Sequence, residues 1–290
     1  MFRTLCLAMA VLCASVAMSQ QKPVPPEAAA EAAGRQELVD RIWEVMELDQ
    51  LMPILQHEAL AEADALEDGM PGGVGDDGWT EAVSQIHQPA RLRALFEAGL
   101  RQKLAGPVDP RLDAALEFYR SALGRRLIGL EMSTRQAMLE PEIEASARQA
   151  FSAAASRGDP RVDQIARLIE QADLVGPNVA GGMNAAVAFS QGFADGGGFD
   201  MPMTRDQILA DAWSQEAELG ARTRVWIESY LLLAYAPLSD AELETCIRFA
   251  SSPAGKALSA ALFAGFEAMF MQTSRDMGLA AAAQMQGQRL

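Results

Sequence analysis

The residues able to do chemistry are few, and their spacing is wrong for most of it. The chain holds two histidines and three cysteines in 290 residues. His57-Glu58 opens like a zinc-protease signature, in which two histidines one helical turn apart hold the metal and the glutamate acts as base. The second histidine belongs at position 61, where this chain has Ala61. His87 brings no ligand spacing of its own, so no metal ligand is assigned. Gly73-Val-Gly75-Asp-Asp-Gly78 spells the dinucleotide fingerprint, which works only between a strand and a helix amino end that faces pyrophosphate. Leu66-Glu67-Asp68 is no strand, and Asp76 and Asp77 would repel the anion. The segment therefore reads as a loop, and no cofactor-binding residue is assigned. Ala188-Phe-Ser190-Gln-Gly192 approximates a nucleophile elbow. Such hydrolases place the histidine after the serine, whereas both histidines here precede Ser190. No catalytic residue is assigned.

Carboxylates are plentiful. Lys and Arg number 24 against 39 Asp and Glu, so the net charge is 24 − 39 = −15. That balance argues against nucleic acid as a partner, and against electrostatic docking on an anionic membrane. Most acids fall at helix-face spacing and read as solvated faces, although a fold can assemble two of them into a hydrolytic acid and base. The Asp-rich stretches around Asp68, Asp76 and Asp77, and around Asp195 and Asp200, lack the alternating ligands and terminal Glu of a calcium loop. Methionine is the unusual count at 15. Met201-Pro-Met203 and Met269-Phe-Met271 fit adaptable core filling, with a thioether site for Cu(I) or a Met- and Leu-lined groove as alternatives.

The elements that must position these side chains begin after a leader. Residues 1–19 read as a signal peptide: Arg3, an apolar run from Leu5 to Val16, and small residues suited to cleavage near 17–19. Large Leu5 and Leu12 before Cys6 and Cys13 argue against lipidation. Cleavage would leave Cys246 alone in the apolar stretch 243–249, as a buried and inert thiol. The expected address is periplasmic or secreted. No later stretch reads as an unbroken transmembrane segment. Residues 20–35, with Pro23-Val-Pro-Pro26, are expected to form a flexible lead-in.

From Gln36 onward the apolar residues recur with helical period, alanine is abundant and β-branched alternation is nearly absent. The predicted fold class is all-α, without a β-sheet. Asp109-Pro110, Asp159-Pro160 and Ser252-Pro253 each set a capping side chain before a proline, and Ser239 with Glu242 has capping-box spacing. Pro89 and Pro141 are expected to kink their helices. The chain also matches itself. Residues 38–42 align with 161–165, and Leu51 with Leu174, at an offset of 123. Residues 118–127 align with 249–258 at an offset of 131. Two tandem related helical units are therefore expected, over 36–157 and 158–290. In the first, helices are expected near 36–66, 79–104, 109–121 and 122–155. In the second they fall near 160–192, 204–235, 239–251 and 253–285.

Phe118-Tyr119-Arg120-Ser121-Ala122-Leu123-Gly124, and Phe249-Ala-Ser-Ser252-Pro253-Ala-Gly255-Lys256-Ala-Leu258, resemble the hallmark of an exported proteobacterial helical family called domain of unknown function 2059. Its members show an aromatic and then Ser-Pro-x-Gly-x-x-Leu near the end of a helical unit. The second copy keeps the Ser-Pro, and the first has Ser-Ala. The resemblance implies an exported helical protein and brings no catalytic residue or cofactor. Apart from it, Ser121 and Ser252 suit helix caps, and Gly124 and Gly255 suit a close approach of two helices. The functional expectation is a non-enzymatic periplasmic protein that binds a protein partner or an apolar small molecule between its units. The alternatives are an envelope-acting enzyme using Asp/Glu chemistry and a Met-based metal-handling protein.

Overall fold

A computed structural model describes residues 26–69, 77–107, 109–199, 201 and 203–287. The leader, residues 20–25, Asp76 and Asp200 lie outside that set. Every regular element among the described residues is a helix. The first, α1 (Pro26–Val45), starts ten residues inside the expected flexible lead-in. Proline at a first helical position followed by an Ala- and Glu-rich run is a good helix start, so this expectation is corrected. α2 (Leu48–Gly69) follows through Glu47, whose backbone is left-handed with φ 49°.

Proline sets the next breaks. α3 (Asp77–Ile86) ends before α4 (Pro89–Lys103), and α6 (Ala122–Ala137) ends before α7 (Pro141–Ser156). Gln88 and Glu140, each preceding a proline, are extended at ψ 129° and ψ 117°. A residue before proline is pushed out of helical conformation by the ring, so both expected kinks become full breaks. Between them lies α5 (Arg111–Arg120).

The remaining helices are α8 (Pro160–Gln171), α9 (Val175–Asp195), α10 (Arg205–Ser214), α11 (Glu216–Ala234), α12 (Asp240–Ser251) and α13 (Pro253–Gly287). α8 meets α9 through Asp173, left-handed at φ 49° like Glu47. The two turns lie 173 − 47 = 126 residues apart. The buried residues Val39, Ile42 and Trp43 recur at that spacing as Ile165, Leu168 and Ile169. The offset of 123 expected for this region differs from that spacing by three residues, almost one helical turn.

The last helices cross between halves. Leu258, Ala261 and Met269 of α13 complete a core otherwise built from α1, α2, α4 and α5. Leu127 of α6 joins the core of α8, α11 and α12, while α7 lies against α11. α13 approaches both halves closely where side chains vanish. Gly265 faces the ring of Phe96, and Gly278 faces the backbone of Phe189 and Phe193 on α9. By length and composition α13 is apolar enough to cross a membrane, which departs from the expectation for the later stretches. Here it packs against α9 of its own half and against α4 and α5 of the other.

Candidate functional site

The corners that turn α5 into α6 and α12 into α13 are built alike. Ser121 and Ser252 have extended backbones, at φ −65°, ψ 165° and φ −69°, ψ 157°. Each hydroxyl accepts from the amide three residues on, Gly124 N and Gly255 N, at 3.1 Å. A Cβ on either glycine would run into the carbonyl oxygen of Phe118 or of Phe249 respectively. The two phenylalanines stack face to face with centroids 3.7 Å apart and planes 6° apart, and Tyr119 meets both edge-on. The serines are caps, and the aromatic trio forms part of the seam between the halves.

A cavity of about 360 Å³ is lined by this trio and by residues of both halves. It adjoins a wider cleft of about 1100 Å³ bounded by α2, α6, α7, α9, α11 and α13. Arg135, Asn178, Trp226, Ile227, Phe263 and Phe266 belong to the walls of both. The inner walls are mainly Leu, Ile, Phe and Met, with a small polar group on one side. This is the make-up of small-molecule pockets, which are mostly apolar with a few placed polar atoms.

That polar group centres on Glu131 of α6. Tyr235 Oη donates to Glu131 Oε1 at 2.6 Å, and Tyr230 Oη donates to the Glu131 carbonyl at 2.9 Å. Burial pushes the Glu131 carboxyl above the usual carboxylate range, and the Tyr235 bond offsets part of the rise. Tyr119 is raised by burial and by the charges of Glu131 and Cys246. Its hydroxyl makes no hydrogen bond among the described residues. Cys246 is a free thiol, buried as expected, and pushed up to about 12, chiefly by burial and then by Glu131.

Arg135, one turn beyond Glu131, stands between cavity and cleft. Its Nε and Nη2 donate to the two oxygens of Glu58 on α2, both at 2.8 Å, and its guanidinium lies 5.9 Å from the centre of the Trp226 ring. A planar fork on a carboxylate is the strong form of such a pair. Glu62, a turn further along α2, is raised by partial withdrawal from solvent and by the Glu58 charge. Across the cleft Asn184 Nδ2 donates to Glu267 Oε1 at 2.7 Å.

The residues singled out in the sequence lie elsewhere. His57 is exposed on α2. His87 sits with Nδ1 3.0 Å from the Val83 carbonyl, and burial lowers its pKa. No group of three or more His, Cys, Asp or Glu side chains gathers to hold a metal among the described residues. Ser190 is mid-helix on α9, without the strand a nucleophile elbow requires. Asp195 pairs with Arg275 at 2.6 Å. Met201 is 78% exposed and Met203 half-buried, while Met269 is fully buried and Met271 exposed. Neither pair therefore offers two sulfurs in one environment. The methionines that line the cavity and cleft are Met46, Met132 and Met138.

Glu131, Arg135 and Tyr235 belong to none of the motifs in the sequence, and Tyr119 enters only through the corner motif. One signal was available, since Leu127-Ile-Gly-Leu-Glu131-Met132 is an apolar run interrupted by a single acid. No family model matches the chain, and no curated protein or solved structure is significantly similar to it.

Proposed function

We propose that this chain is a non-enzymatic binding protein that holds an apolar small molecule between two related halves, after export to the periplasm or beyond through its leader. The observation that carries the reading is the apolar cavity at the junction of the halves, adjoining the outer cleft and bearing one compact polar cluster. The relation between the halves, and kinship with the exported helical family named above, rest on the two corners with equal caps and stacked phenylalanines. An uncharged environmental dye should bind saturably with one site per chain and change the fluorescence of Trp226 on the shared wall. Ser259 lines the inner cavity. Ser259→Phe should fill it and weaken dye binding at least about tenfold, since overpacking costs about 1–3 kcal/mol and the dye also loses its space. Unsaturable binding, or equal binding by the filled variant, would refute the reading.

A second reading, an enzyme acting on envelope material, is favoured by Glu58 and Glu62 standing one turn apart on the cleft wall with Glu62 raised in pKa. Against it, both Glu58 oxygens are committed to Arg135. That reading predicts turnover of glycan or peptide substrates by the purified protein and its loss in Glu62→Gln. A protein without turnover on either substrate class would dispose of it.

A further inference from the structure

Two features of the cavity narrow what can occupy it. The first is charge. Along the cleft Arg135 is neutralised by Glu58 and Arg148 by Glu144, at 2.8 Å in each case. What remains on the wall is Glu62 and Glu267 against Arg222. The approach thus carries a small negative excess, on a chain whose net charge is −15. An anion would enter against this field and then lose its water in an apolar cavity, both of which oppose its binding. The second feature is the direction of the polar atoms. Tyr235 already donates to Glu131 Oε1 and Tyr230 to the Glu131 carbonyl. Tyr119, on the wall beside them, has a hydroxyl with no acceptor among the described residues. The Glu131 carboxyl, raised by burial, adds a second donor wherever it is protonated. Tyr119 is half-buried, so its hydroxyl is free to donate, and an occupant of the cavity that supplies an acceptor gains a hydrogen bond there.

Resting on the binding function proposed above, we infer that the cavity selects an uncharged apolar molecule bearing a carbonyl-type acceptor, such as an ester, amide or ketone. The acceptor end goes in first, against Tyr119 and Glu131, and the apolar remainder lies along Trp226, Phe263 and Phe266 toward the outer cleft. Glu131 is faced by Tyr119 from α5, Tyr230 of α11, Tyr235 just after it and Cys246 from α12, with Arg135 on its own helix bound to Glu58 of α2. The tyrosines and the thiol are all raised by burial, so Glu131 is the member of this set that changes charge first as pH rises.

The test is displacement of a bound uncharged dye from the purified chain by methyl laurate, laurate and dodecane. Methyl laurate should compete about tenfold or more better than laurate at neutral pH. Tyr119→Phe keeps the ring and removes the hydroxyl. It should weaken methyl laurate about fivefold, the equivalent of one neutral hydrogen bond, and leave dodecane unchanged. Wild-type affinity for methyl laurate should fall as pH rises and Glu131 ionises, whereas Glu131→Gln, a permanent donor, should lack that fall. Equal or tighter binding of laurate, or indifference of methyl laurate to Tyr119→Phe, would overturn the ligand class and leave the binding function standing. Dye binding that none of the three displaces would overturn both. Unchanged circular dichroism of each variant separates these outcomes from misfolding.

Discussion

At the scale of single residues, the informative group is Glu131. A carboxyl whose folded-state pKa is raised is held in its acid form more strongly by the folded chain than by the unfolded one. The stability this gives is fully present below the ordinary glutamate value and is lost as pH rises through the raised one. Glu131 has its pKa raised mainly by burial, with the Tyr235 hydrogen bond opposing. Glu131→Gln keeps the shape and a donor and cannot ionise. Relative to wild type it should therefore gain stability as pH is raised from acidic to neutral and be nearly level with it at the acidic end. Urea midpoints measured across that range check the sign, and a difference independent of pH would show that Glu131 does not titrate in the fold. Glu62 is raised too, but on the cleft rim, where water screens its share. This cluster was only faintly legible in the sequence. An acid inside an apolar helix face signals something buried. Nothing in a single chain says that Tyr119, Tyr230 and Tyr235 will converge on it, because their meeting is decided by helices far apart in sequence.

At the scale of elements, the glycines of α6 make opposite predictions from one residue type. A Cβ at Gly124 would strike the Phe118 carbonyl and the Tyr119 backbone, and one at Gly255 the Phe249 carbonyl and the Ala250 backbone. Backbone cannot rotate out of the way as a side chain can. Gly124→Ala and Gly255→Ala should each cost about 2–4 kcal/mol, at or above the usual cost of overpacking. Gly129, exposed on the same helix, has nothing within 4 Å of its Cβ position. Gly129→Ala should instead stabilise by about 0.5–1 kcal/mol, the helix propensity difference. Thermal melts of the three variants decide this, and equal effects at Gly124 and Gly129 would contradict the corner geometry. Elements were the legible scale. The Ser239–Glu242 capping box and the Asp159 cap occur where their spacing placed them. The Thr204–Gln207 box has the same spacing. Proline explains why two expected helices became four, since sequence marks a breaker more readily than it says whether the helix bends or stops. The two offsets, 123 from sequence and 126 between the left-handed turns, are hard to tell apart by pattern, because a shift of almost one turn leaves much of an apolar stripe on the same face.

At the scale of the whole molecule, helical period says which face of α13 is apolar and is silent on which half covers it. The answer is both. Met269 is fully buried in the core built from α1, α2, α4 and α5, although it lies more than a hundred residues beyond them. Leu127 makes the reciprocal crossing into the core of α8, α11 and α12. Neither core is complete without a helix from the other half, and the Phe118–Phe249 stack joins the corners from which those helices depart. Two independent domains would unfold in two steps, whereas cores that share helices should unfold in one. Single-tryptophan variants keeping Trp43, buried in the first core, or Trp226, packed against the second, should give coincident urea transitions. Met269→Ala should cost about 2–5 kcal/mol, the range for truncating a buried methionine. The deletion lies in the first core, so a pair of autonomous units would report it through Trp43 alone. Mutual completion requires the Trp226 transition to move by the same amount, because α13 also packs along α9 of its own half. Separate transitions, with only the Trp43 curve displaced, would mean that the junction is a contact between finished domains, and a cavity there could open without unfolding either one.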